Sequence, residues 1–229
     1  MIHSFLLIGQ SNMGGRGYLH EVAPICDDRL LVLRNGRWQK LYAPVNPDRQ
    51  FSGVNLAESF ALAYADHHPN VQVGLIPCAD GGSSLEQWQA GGLLFDHAVY
   101  QCRLALRTSS IAGVLWHQGE SDSDSVRVST YLPRLAGFVQ SLRADLGVGE
   151  EVPFIAGQIQ PRHEHAALFN PLISSVSEVI PNAAGVSSEG LSTLPDNLHF
   201  TREAQLELGR RYADALFGPV EDSDKSTLQ

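Results

Sequence analysis

The chain has 229 residues, of which 43% are hydrophobic and 18% charged, with a formal net charge of −9. These are globular proportions, and the length suits one α/β domain whose sheet is covered on both faces. The acidic balance argues against a nucleic-acid backbone as partner, which would need clustered Lys and Arg, and no stretch approaches the ~20 apolar residues of a membrane span.

The amino-terminal run Ile2–Ile8 reads as a first strand rather than a leader, because no basic region, long apolar core and cleavage site precede it, so a cytoplasmic protein is expected. It leads straight into Gly9-Gln10-Ser11-Asn12-Met13-Gly14-Gly15. A strand ending in a small-residue turn presents the Ser11 hydroxyl at the carboxyl edge of a sheet, where open α/β folds place their ligands. The following Gly14-Gly15-Arg16-Gly17 lacks both the Gly-Lys-Ser/Thr ending of a phosphate loop and the dinucleotide glycine spacing. Residues 30–42 form an expected hairpin turning at Asn35-Gly36, and with the Pro44–Gly53 loop it is expected to make a lid or wall beside Ser11.

Beyond the hairpin, apolar runs at Val71–Ile76, Ile111–Trp116, Phe154–Gly157 and Ala184–Val186 alternate with helical patterns. Helices are predicted at Leu56–His67, Leu93–Leu106, Tyr131–Leu146, Ala167–Val179 and Arg202–Phe217, the last capped by Thr201. Counting the first run, the alternation predicts a parallel sheet of about five strands in one domain spanning 1–218, with the polar residues 219–229 a disordered tail. Cys26, Cys78 and Cys102 have no Cys-x-x-Cys spacing and are expected to be buried free thiols. His163-x-His165 has no third ligand at a known spacing, so these are surface or rim histidines, and no metal is expected. Asp122 and Asp124 lack the Ca²⁺-loop pattern and are expected to begin the next helix.

Polar islands follow two of the apolar runs: Asp80-Gly81-Gly82-Ser83-Ser84, and Trp116-His117-Gln118-Gly119-Glu120-Ser121-Asp122. A fourth, Pro195-Asp196-Asn197-Leu198-His199-Phe200, sets a carboxylate three positions before a histidine. A serine hydroxyl becomes nucleophilic when an imidazole removes its proton, and a carboxylate fixes the imidazole's tautomer. Four strand-end loops converging on one pocket would therefore make a hydrolase site with Ser11 and His199 at its centre. Asp196 has the sequence proximity to orient His199, and Glu120 is the competing carboxylate or a pocket anchor. Gln10, Asn12, Ser83 and Trp38 are the candidate substrate contacts. Trp88 and Trp116 are, with Trp38, candidates for a flat stacking face, although Trp116 closes an apolar run and suits the core better.

Together the four blocks resemble the SGNH hydrolases. Within them, Gly-Gln-Ser-Asn-Met combined with Trp-His-Gln-Gly-Glu-Ser-Asp is similar to the acetylxylan esterase and sialate O-acetylesterase group, over about Ile2–Phe217. The resemblance implies a flavodoxin-like three-layer α/β/α sandwich that hydrolyses acetyl esters of sugars without a cofactor. By matching position, Ser11 would be the nucleophile and His199 the general base. The Ser11 and Gly82 amides and the Gln118 side chain would then hold the oxyanion. The broader superfamily carries asparagine where Gln118 stands, whereas the narrower esterase group shares the glutamine. Many sialate O-acetylesterases are longer, secreted and carry β-rich modules, so the sialate assignment is the weaker one. The competing readings are a short-chain lipid or thioester hydrolase on the same fold and a catalytically inactive carbohydrate-binding protein. Polar, glycine-rich loops around Ser11 argue against a channel for a long acyl chain.

Overall fold

The computed structural model describes residues 1–20 and 23–217; the tail expected at 219–229 lies outside them. Seven strands form one sheet: β1 (Ile2–Gly9), β2 (Leu30–Arg34), β3 (Arg37–Lys40), β4 (Gln72–Pro77), β5 (Ser110–His117), β6 (Phe154–Gly157) and β7 (Ala183–Val186). Their order is β3-β2-β4-β1-β5-β6-β7, parallel except for the β2–β3 pairing. All five expected strands are present, and the expected hairpin adds two more; its turn residues Asn35 and Gly36 both have positive φ, as a tight two-residue connection requires. It extends the sheet at its edge instead of covering the serine.

The five apolar runs become strands because each residue of a doubly covered parallel strand is buried on one face or the other. Along β1, Leu6 and Ile8 pack on one side, and Phe5 and Leu7 on the opposite side. All four are fully buried, each contributing roughly 1.5–3 kcal/mol of apolar burial. The first side is covered by α3 (Leu93–Ala105), α4 (Val128–Leu146) and α5 (Ala166–Ser174), through residues such as Phe95, Phe138 and Phe169. The second is covered by α2 (Ala57–His67) and α6 (Arg202–Phe217), through Phe60, Leu208 and Tyr212. This is the three-layer α/β/α sandwich. The Thr201 hydroxyl caps α6 by accepting the Ala204 N–H at 3.2 Å.

Placing β1 at the centre puts its carboxyl end between those of β4 and β5, so the loops after all three strands open at one edge of the sheet. The one-turn helix α1 (Ser11–Gly14) starts directly after β1. Gly9 makes that sharp exit possible. Its φ is +132°, and a Cβ there would collide with the His117 carbonyl oxygen, which accepts the Gln10 N–H at 2.9 Å.

Candidate active site

Ser11 lies at the tip of that exit, and His199 reaches it from the loop between β7 and α6. The Ser11 hydroxyl is 3.0 Å from His199 Nε2, and His199 Nδ1 is 2.6 Å from Asp196 Oδ2. The other oxygen of Asp196 accepts the backbone N–H groups of Leu198 and His199 at 2.9 and 3.0 Å. Burial alone would raise the Asp196 pKa, but these N–H groups and the imidazole hold it below the usual carboxylate range. The carboxylate is thus ionised and immobilised, with one oxygen fixing the turn and the other fixing the ring.

Glu120 does not compete for the imidazole. Its Oε1 accepts Asn12 Nδ2 at 2.6 Å, and burial raises its pKa. Asn12 in turn donates to the Leu198 carbonyl at 3.2 Å and accepts the Phe200 N–H at 3.1 Å. Glu120 and Asn12 therefore clamp the backbone on both sides of His199. Gln160 adds a further tie, donating to the Asn197 carbonyl at 2.6 Å.

The second loop is held by a buried ion pair that sequence reading missed. Arg16 and Asp48 make two parallel hydrogen bonds at 3.0 and 2.9 Å, and Asp48 Oδ2 also accepts the Gly81 N–H at 2.9 Å. Arg49 donates to Asp80 and to the Gly81 carbonyl, at 2.9 and 2.8 Å. Asn46 exchanges two bonds with the Ala79 backbone. The Pro44–Gly53 loop thus does stand beside Ser11 and braces the glycine turn, as half of the expected wall. The signal was an arginine inside a glycine-rich turn, but its partner lies 32 residues away.

A cavity of about 450 Å³ opens over Ser11. Gln10, Gly81, Gly82, Ser121, His163 and Leu198 are among the residues around it. The Ser11 and Gly82 N–H groups have no protein acceptor among the described residues. Gln10 Oε1 accepts the Gly119 and Ser121 N–H groups at 3.3 and 3.4 Å, which leaves its Nε2 as the uncommitted donor of that side chain. Among the described residues, no three His, Cys, Asp or Glu side chains converge to hold a metal ion.

Several expected site residues face elsewhere. Gln118 is fully buried, and its amide is spent on Ser83 O (3.2 Å) and Asp122 Oδ2 (2.6 Å), while Tyr131 Oη donates to its Oε1 at 2.9 Å. It has no donor left for an oxyanion. Asp122, expected to begin a helix, instead accepts from Gln118 and the Leu85 N–H, and Asp124 alone caps the next turn. Asn12 is buried in the clamp described above. The Ser83 hydroxyl is buried between Trp88 Nε1 (2.9 Å) and Gly9 O (3.4 Å). Trp38 sits on the edge strand β3, packs against Gly74 and donates to Thr108 Oγ1 at 3.1 Å. Trp88 and Trp116 are fully buried and meet edge to face, 5.7 Å between centroids. Of the four candidate substrate contacts only Gln10 lines the cavity, and no tryptophan forms a stacking face there. Cys26 is exposed, unlike Cys78 and Cys102.

With that geometry in place, comparison with known proteins decides the family. Residues 1–218 match the family described as carbohydrate esterase, sialic acid-specific acetylesterase. The chain belongs to that family. It is an SGNH-type carbohydrate esterase. A probable carbohydrate esterase of Arabidopsis thaliana is 30% identical over 92% of this chain and 88% of its own length. The crystal structure of an Arabidopsis thaliana protein superimposes with a TM-score of 0.86 at 28% identity, covering 94% of this chain and 97% of that one. NanS shares the fold at a TM-score of 0.76 and 17% identity, over 94% and 96% of the two chains. A carbohydrate acetylesterase from Xanthomonas citri does so at 0.71 and 18%, covering 96% of this esterase and 57% of its own chain.

Proposed function

We propose that this esterase removes acetyl groups from acetylated carbohydrates through an acetyl-serine intermediate, with Ser11 as nucleophile, His199 as general base and Asp196 as its orienting acid. The observation that carries the reading is the continuous chain Asp196 Oδ2–His199–Ser11 Oγ, at 2.6 and 3.0 Å. His199 Nε2 takes the Ser11 proton as Oγ attacks the acetyl carbonyl. The oxyanion forms against the Ser11 and Gly82 N–H groups, with Gln10 Nε2 in the part that sequence position had assigned to Gln118. Collapse of the intermediate breaks the bond to the sugar oxygen, which receives the proton from His199 Nε2. Water then attacks the acetyl-serine by the same route and releases acetate.

The small or polar residues Gly81, Gly82 and Ser121 beside Ser11 favour a short acyl group on that side of the site. Hydrolysis of 4-nitrophenyl esters from acetate to octanoate, by wild type and Ser11→Ala, tests the assignment. Fast acetate cleavage that falls with chain length and vanishes in Ser11→Ala is the expected result. A preference for octanoate would move the substrate to lipids, and activity independent of Ser11 would overturn the mechanism.

A further inference from the structure

A second cavity, of about 510 Å³, adjoins the one over Ser11 and shares Arg16, Phe51 and His199 with it. It runs along the Asp196 flank of the imidazole and is walled by Tyr18, Leu19, His20 and Leu194. Both volumes lie within the ~300–1,000 Å³ typical of ligand sites. Phe51 stands at the junction with 70% of its surface exposed, and the buried Arg16 guanidinium supports its ring from behind, 5.2 Å from the centroid. Tyr18 is 44% exposed and stacks with His20 at 5.7 Å and 16°. Large apolar side chains left open beside a site mark a surface kept for a ligand.

The chemistry says which end of the substrate this surface meets. The oxyanion donors fix the acetyl group in the first cavity, on the Gly82 side. The leaving alcohol must lie against His199 Nε2 to receive its proton, so the sugar extends past the imidazole toward Phe51 and the second cavity. Charge narrows the ligand further. Arg16 is paired with Asp48, and Asp196 is bound to His199, so neither offers a free charge to a substrate. Resting on the acetylesterase reading above, we propose that Tyr18, Leu19, Phe51 and Leu194 form a subsite for a neutral glycosyl residue linked to the acetylated sugar. The acetylated ring packs on Phe51, and its neighbour packs on Tyr18. The preferred substrate is thus an acetylated di- or oligosaccharide rather than a free monosaccharide.

The test measures kcat and KM for acetylated xylobiose, the matching acetylated methyl xyloside and ethyl acetate, with wild type, Tyr18→Ala, Tyr18→Phe and Ser11→Ala. Wild type should favour the disaccharide about three- to tenfold, the increment of one aromatic contact, and the gain should appear in KM. Tyr18→Ala should erase that preference, and Tyr18→Phe, which keeps the ring, should retain it. Equal turnover of mono- and disaccharide by wild type, or a preference that survives Tyr18→Ala, overturns the subsite alone. Ser11-dependent cleavage of ethyl acetate with no turnover of either sugar overturns the carbohydrate reading, and the subsite with it.

Discussion

The two walls of the site are built from opposite materials. The wall under β1, β4 and β5 is a buried lattice of amides and carboxylates, in which Asn12, Gln118 and Asp122 spend their polar atoms on buried partners and on backbone, while Glu120 ties Asn12 through one oxygen and also lines the cavity. The outer wall is a set of loops that leaves Phe51, Tyr18 and Asp196 partly open to solvent. Block motifs contribute to both walls, so membership of a motif does not say whether a side chain does chemistry or holds the loop that does. The lattice makes the loops rigid, while Ser11 and Gln10 at the exit of β1 and His199 on the outer loop face the cavity between the walls.

Substitutions can break this division, beginning with the reacting groups. Ser11→Ala should lower kcat by at least about 10⁴, and His199→Ala by a similar factor, in assays of acetate ester hydrolysis. Asp196→Asn should cost about 10²–10⁴ in kcat with little change in melting temperature, because the imidazole loses its tautomer partner while the loop stays tied through Asn12 and Gln160. The two glutamines separate cavity from lattice directly. Gln10→Ala should lower kcat about 10²-fold, as loss of an oxyanion donor does. Gln118→Ala should instead destabilise the fold by about 1–3 kcal/mol in denaturant titration, by stranding buried partners, and should reduce kcat less than Gln10→Ala does. If Gln118→Ala gave the larger kcat loss at full stability, the proposed exchange of roles would be wrong.

A smaller effect sharpens the comparison through pH. Burial would raise the Asp48 pKa, but Arg16, the Ser52 hydroxyl and the Gly81 N–H lower it on balance. A carboxylate with a depressed folded-state pKa adds stability above its unfolded value of about 3.9, and that stability is lost as pH falls through the folded value. The melting-temperature gap between wild type and Asp48→Asn should therefore be full at neutral pH and shrink below about pH 4. Trp38→Ala should change kcat/KM least of all, since its ring packs on Gly74 at the sheet edge.

The strands and long helices were legible because burial on two faces writes continuous apolar runs, and one apolar stripe writes a helical period. Ser11, His199 and Asp196 were legible because their residue types are scarce and their spacing is local or terminal. The directions of Gln10, Asn12, Ser83 and Gln118 were not. Each is a polar residue in a loop, and whether it faces the cavity or the lattice depends on partners in other loops. Trp38 misled for a related reason: the hairpin's sequence reports its turn but not which edge it joins. The Phe51 platform left no signal, because one phenylalanine in a loop reads the same whether it caps a core or greets a ligand.

The 188 residues separating Ser11 from His199 also bear on the protein's birth. Of the seven strands β1 is made first, yet it is the central one, and its partners in β4 and β5 come 70 and about 108 residues later, as Ile2 with Gln72 and Gly9 with His117 show. A nascent chain consequently carries the proposed nucleophile Ser11 long before the proposed base His199 is made, so that Ser11-dependent hydrolysis would itself report that both ends of the sheet had closed on each other.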